Sequence, residues 1–170
     1  NNEQSLSPRF IKHLKYFLNI IEKKFKKNSS IIEIGCGKGF FFSLLEQRYK
    51  ILRGFDTTYD GNNEKIQSRY ITSRDVINED LIILRHTLEH IPDFYSFLNN
   101  LKKISSTKTK ILIEVPSLEW IITKKSFWDF TYEHVNYFSQ KTFEKLFKKV
   151  SLNKLTFGKQ YIVVLADLNS

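Results

Sequence analysis

The sequence predicts an α/β fold built on a mainly parallel sheet, and three observations carry that expectation. Short apolar runs of the kind buried on both faces alternate with amphipathic runs of helical period. The connections between them are short. One connection, "GCGKG" at 35–39, holds three of the chain's 6 glycines. Strands alternating with helices in this way give parallel sheets, and such sheets bind ligands at the carboxyl ends of their strands.

Each element follows from local chemistry. Ser7-Pro8 reads as a helix cap and first helical residue, after which Phe10, Leu14, Phe17, Ile21 and Phe25 recur on one face. Ser30 to Ile34 is a buried-type strand, followed by the glycine turn and an apolar helix around Phe40 to Leu45. "KILRGFD" is a second strand ending at Asp56, "DGNNEK" a loop, and "SRYIT" at 68–72 a short edge strand. "DLIILRH" is a continuous apolar strand, and Pro92 opens a helix carrying Phe94, Phe97, Leu98, Leu101 and Ile104. "KILIEVP" is a further buried strand stopped by Pro116, and an aromatic loop with Trp120, Phe127, Trp128 and Phe130 follows it. Ser139 caps a helix with Phe143, Leu146, Phe147 and Val150, and "LNKLTF" with "YIVVLAD" closes the chain as an antiparallel pair.

Composition bounds the function classes. With 170 residues and 41% hydrophobic content the chain builds one domain, 1–170, with an N-terminal helical segment at 1–28 and an α/β core at 29–170. No run approaches the eighteen or so apolar residues of a membrane span, so a soluble, cytoplasmic protein with no membrane partner is expected. The single Cys36 excludes an internal disulfide and a thiolate-rich zinc site. The chain has no Met, and its native start is expected to lie outside it. The formal charge is +9, from 27 Lys+Arg against 18 Asp+Glu. That balance suits nucleic acid or an acidic ligand. The cations are, however, spread over solvated helix faces, as in "KKFKK" at 23–27, and no nucleic-acid partner is expected.

The glycine turn narrows the ligand. A dinucleotide fold wants G-x-G-x-x-G, so that pyrophosphate sits on the helix N-terminus, but that pattern needs glycine at position 40, which is Phe40. No G-K-[ST] follows at the spacing of a nucleotide phosphate loop. The pattern is E-x-G-x-G-x-G over Glu33, Gly35, Gly37 and Gly39, and the second strand ends about twenty residues on at Asp56. An acidic group there can accept both hydroxyls of a ribose.

This pattern resembles the cofactor loop of class I S-adenosylmethionine-dependent methyltransferases. "LRHTLEHIPDFYSFL" is similar to the fourth-strand motif of small-molecule members. "ILIEVP" with "FWDFTYEHVNYFSQKTFEKLF" looks like the C-methyltransferase-like subgroup related to sugar C-methyltransferases. The resemblance runs from about residue 30 to 165 and implies a Rossmann-like fold, with a seven-stranded, mainly parallel sheet, an antiparallel last strand and helices on both faces. It also implies S-adenosyl-L-methionine as cofactor, with Gly35, Gly37 and Gly39 along its methionine and ribose and Glu33 at its amino group. Asp56 would take the ribose, with Cys36 and His86 bordering the same ligand. The relatives usually carry a further C-terminal domain, and some a zinc-binding N-terminal one, neither of which this sequence shows.

The substrate side is expected in "TYEHVNYF". A His near its ordinary pKa suits removal of a substrate proton, which assigns His134 as base, Glu133 to orient it and Tyr132 to bond a substrate oxygen. His90 is the next candidate base. The substrate expected is a small molecule such as a nucleotide-linked sugar, methylated at carbon or oxygen. Zinc at "HTLEH" is the rival: His86 and His90 at i, i+4 would share a helical face. The metalloprotease pattern, however, places Glu directly after the first His, whereas Glu89 precedes the second, so no metal is expected. Two other readings compete with a small-molecule enzyme: a nucleic-acid methyltransferase, suggested by the charge, and a non-catalytic partner subunit. Against the first, the fourth strand lacks an Asn-Pro-Pro-Tyr type ending; against the second stand the intact glycines and Asp56.

Overall fold

The computed structural model describes residues 7–126 and 133–169. The strands form a seven-stranded sheet in the order β3-β2-β1-β4-β5-β7-β6, with its last strand antiparallel, as expected. The chain divides into two compact units, Asn1–Tyr70 and Ile71–Ser170. Among the described residues no helix is long and apolar enough to cross a membrane.

The first unit opens with α1, Pro8–Lys24, whose Phe10 N–H donates to the Ser7 hydroxyl at 3.1 Å. Its inner face is His13, Leu14, Phe17, Leu18 and Ile21, while Lys23 and Lys24 complement the dipole in the last turn. Strands β1 (Ser30–Ile34) and β2 (Ile51–Phe55) run parallel, with Ser30 opposite Ile51 and Glu33 opposite Gly54. The crossover between them carries α2, Phe40–Glu46, which buries Phe41, Phe42 and Leu45. Phe41 meets Phe17 of α1 edge-on at 5.4 Å. The edge strand is β3, Ile66–Gln67, parallel to β2, rather than the expected 68–72. Burial decides this: Ile66 is buried on the sheet, whereas Tyr70 is 77% exposed and gives 68–72 no inward face.

Gly54 is what lets β2 lie against its neighbours. A Cβ there would sit 2.9 Å from Ile66 Cγ1 and 3.1 Å from Phe42 Cε2. Gly54→Ala is therefore expected to destabilise by about 1–3 kcal/mol through overpacking. At about 2–4 °C per kcal/mol for a chain of this size, that is a fall in Tm of roughly 2–12 °C by calorimetry. An unchanged Tm would show that this packing is loose.

In the second unit β4 (Leu81–Arg85) is buried along its whole length and pairs in parallel with β5 (Lys110–Pro116). The crossover helix α3, Phe94–Ile104, buries Leu98 and Leu101. Pro92 lies outside it, because Asp93 takes the cap position and accepts from Ser96 N–H at 2.9 Å. The stretch expected as an aromatic loop begins instead as a short helix, α4 (Leu118–Lys124), which includes Trp120 and is capped by the Ser117 hydroxyl. Phe127, Trp128, Phe130 and Tyr132 lie outside the described residues. Ser139 and Thr142 form a reciprocal capping box at the start of α5, Gln140–Leu146. The chain closes with the expected antiparallel pair, β6 (Val150–Thr156) against β7 (Tyr161–Asp167) and β7 against β5, although Val150, expected on the preceding helix, opens the strand. An ion pair joins Lys110 to Asp167 across the β5–β7 ladder.

Candidate functional site

The first unit places the glycine turn at the carboxyl end of β1. Gly35, Gly37 and Gly39 all have positive φ, at 79°, 56° and 79°. At Gly37 an added Cβ would meet nothing within 4 Å, so the protein's own packing does not fill that position. At Gly39 it would meet Ile66 and Tyr59 at 3.1 and 3.3 Å. The Gly35 N–H donates to the Phe55 carbonyl at 2.7 Å, which fixes the turn to the end of β2.

One residue further, Asp56 holds the turn from beneath. Gly37 N–H donates to Asp56 Oδ2 at 2.7 Å, and both the N–H and hydroxyl of Thr58 donate to Oδ1 at 2.7 Å. A carboxylate offers about four lone-pair positions. Three of them are used here, and the remaining one is on Oδ2. Gripping both hydroxyls of a diol therefore requires the Thr58 hydroxyl to turn away.

The local field is negative. Glu33 is buried at 2% exposure on β1. Cys36 is buried beside the turn, and its thiol is pushed up to about 12, first by burial and then by the charges of Glu33 and Asp56. Cys36 is thus a neutral packing group rather than a thiolate. Burial opposes any charge there, but the charges of Glu33 and Asp56 oppose a pyrophosphate and favour a cation. The turn therefore fits a ligand with a diol and positive charge, such as the ammonium and sulfonium of S-adenosyl-L-methionine.

The second unit gathers the remaining residues at the carboxyl end of β4. Arg85 donates from Nε and Nη2 to Glu114 Oε1 at 3.1 and 2.9 Å, and both residues are buried. His86 follows in a left-handed conformation, φ 47°, and packs edge-on against Tyr161. Its Nε2 lies 3.3 Å from Glu114 and its Nδ1 3.5 Å from Glu89. Burial would pull its imidazolium down, but hydrogen bonding and charge from the two carboxylates outweigh that and push it up to about 9. Held charged at neutral pH, His86 is not a proton acceptor.

His86 and His90 do not share a helical face. The strained backbone at His86 and the single 3-10 turn Leu88–His90 send the two rings to different partners. His90 Nδ1 lies 2.8 Å from the Glu133 carbonyl. The Glu89 carbonyl accepts from Val135 N–H at 2.9 Å and Asn136 N–H at 3.1 Å, and the Asn136 amide donates to the Ile91 carbonyl at 2.6 Å. These bonds dock residues 133–136 on the 3-10 turn. The rings of His90 and His134 stand 4.9 Å apart, centroid to centroid. The contact of Glu133 is made by its backbone carbonyl, and with His90 rather than His134. Tyr132 lies outside the described residues. Sequence reasoning missed Arg85, Glu114 and Asn136. A Glu inside the apolar run "ILIEVP" was the available signal.

A family model described as "Methyltransferase domain" matches residues 7–156. An uncharacterized protein of Methanocaldococcus jannaschii is 27% identical, covering 75% of this chain, and the chain spans 63% of that relative's length. Among solved structures, the PH0226 protein of Pyrococcus horikoshii superposes with a TM-score of 0.76 at 14% identity, over 95% of this chain and 92% of its own. Magnesium protoporphyrin IX methyltransferase from Synechocystis, solved with bound SAH, gives 0.67 at 13% identity, over 92% and 84%.

Proposed function

The chain belongs to the methyltransferase domain family, and on that premise we propose that it transfers the methyl group of S-adenosyl-L-methionine to a small molecule. The observation that carries this reading is the glycine turn braced by Asp56 in a field set by two carboxylates. When bound, the cofactor supplies an electrophilic methyl on a sulfonium. Glu33 would hold its amino group, the backbone of Gly35, Gly37 and Gly39 would line its path, and Asp56 would accept from its ribose. Cys36 would pack beside it as a neutral thiol. Methyl transfer asks little more of a protein than in-line placement and an ionised nucleophile.

Ionisation of the substrate falls to His134, with His90 beside it, Glu133 orienting the base and Tyr132 assigned to a substrate oxygen. We extend the reading to a nucleotide-linked sugar, methylated at oxygen or at a carbon next to a carbonyl. The support for that step is the Tyr-Glu-His-x-x-Tyr-Phe-Ser stretch of the sequence, residues 132–139. Calorimetric titration with S-adenosylhomocysteine tests the cofactor assignment. Saturable binding of one equivalent is expected, with no heat from NAD; the reverse pattern would defeat it.

The basic charge is not read as a nucleic-acid footprint. Binding to generic duplex or single strands is expected to be weak and lost by moderate salt, as diffuse charge dictates. A salt-resistant gel-shift complex with one RNA species would point to a nucleic-acid substrate instead.

A further inference from the structure

We propose that Glu89, His90 and His134 form a binding site for a divalent transition-metal cation of the Zn²⁺ or Mn²⁺ type. The three residues bring one ligand atom each to within 4.8 Å of one another. Two imidazoles and one carboxylate form the donor set of catalytic sites that keep coordination positions open for water or substrate. Around tetrahedral Zn²⁺ such donors stand about 3.3 Å apart, so modest ring movements close the set.

Two further features point to a ligand there. Glu89 is 1% exposed, and its carboxylate is met by the His86 ring only at the long distance of 3.5 Å. A buried carboxylate in that condition is costly unless a cation meets it. The His86 ring that stands 3.5 Å from it is also shared with Glu114. Second, the partner of His90 Nδ1 is a backbone carbonyl, which only accepts. Nδ1 is therefore the donor, which leaves Nε2 as the ring atom that can meet a cation, the arrangement by which a second shell prepares a histidine ligand. The hydrogen bonds from Val135 and Asn136 to the Glu89 carbonyl fix the third ligand's segment to the first. His90 is exposed, so the site is open to solvent.

This inference rests on the methyl-transfer reading and gives His134 its means of ionising the substrate. A substrate hydroxyl bound to such a cation would lose its O–H proton to water, and the electron pair left on oxygen would be the nucleophile for oxygen methylation. The imidazoles then act as ligands rather than bases.

Chelator-treated protein titrated with Mn²⁺, followed by electron paramagnetic resonance, and with Zn²⁺ by calorimetry tests the site. One cation per chain is expected, with affinity lowered at least tenfold in Glu89→Gln and in His90→Gln. His90 is exposed, so its replacement leaves folding intact even if the Glu89 variant unfolds. Wild-type protein that binds S-adenosylhomocysteine but neither metal would overturn the cation site alone. So would a His90→Gln protein that binds as tightly as wild type. Loss of S-adenosylhomocysteine binding in wild type would instead remove the reading beneath it.

Discussion

His134→Ala is expected to lower single-turnover methyl transfer by about a hundred- to ten-thousand-fold, the range for losing the group that ionises a substrate. Affinity for S-adenosylhomocysteine should stay within a few-fold, because His134 is not among the residues assigned to the cofactor. The motivation is the docking of residues 133–136 on the 3-10 turn, which brings the His134 ring to 4.9 Å from His90. A packing role would show differently. His134 is half-buried, and truncating a residue of that kind costs stability while leaving turnover per folded molecule near wild type. Measured on folded protein with a panel of nucleotide-linked sugars, a variant within a few-fold of wild type would move substrate activation to His90. Glu133→Gln should do much less than His134→Ala. The contact of Glu133 with an imidazole runs through its backbone carbonyl, which the substitution keeps.

The alternating architecture was legible in the sequence because its strands are continuous apolar runs and its helices carry clean stripes. Ser7, Ser117 and Ser139 each accept a hydrogen bond at a helix start, and two of the three were readable as caps. The glycine turn and Asp56 were legible as well, since their spacing is itself the chemistry. The errors have local causes. The edge strand fell at Ile66–Gln67 because burial of one Ile outweighs the aromatic character of "SRYIT". The rejected zinc reading needed His86 and His90 on one helical face, and a positive φ at His86 breaks the helical period before it begins. Contacts such as those of Glu114 with Arg85 and His86 join residues far apart in sequence, and no local pattern announces them. The convergence of Glu89, His90 and His134 is of the same kind, with the third ligand some forty residues from the first two.

Asp56→Ala is expected to weaken S-adenosyl-L-methionine by about 2–3 kcal/mol, or thirty-fold and more, through loss of charge-assisted hydrogen bonds. Two effects combine in that number. The carboxylate would accept from the ribose, and it also anchors Gly37 N–H at 2.7 Å, so its removal loosens the turn along which the cofactor lies. Asp56→Asn separates them. An amide oxygen can still accept from Gly37 but carries no charge, so affinity should fall between wild type and Asp56→Ala. Thr58→Val is the complementary change, because it removes the hydroxyl that occupies Oδ1 and leaves the Thr58 backbone bond in place. If the diol needs that lone pair, Thr58→Val should bind at least as tightly as wild type. Calorimetry of the four proteins decides the matter. An Asp56→Asn protein equal to wild type would reduce Asp56 to a brace for the turn. An Asp56→Ala protein equal to wild type would remove the ribose contact from this strand end altogether.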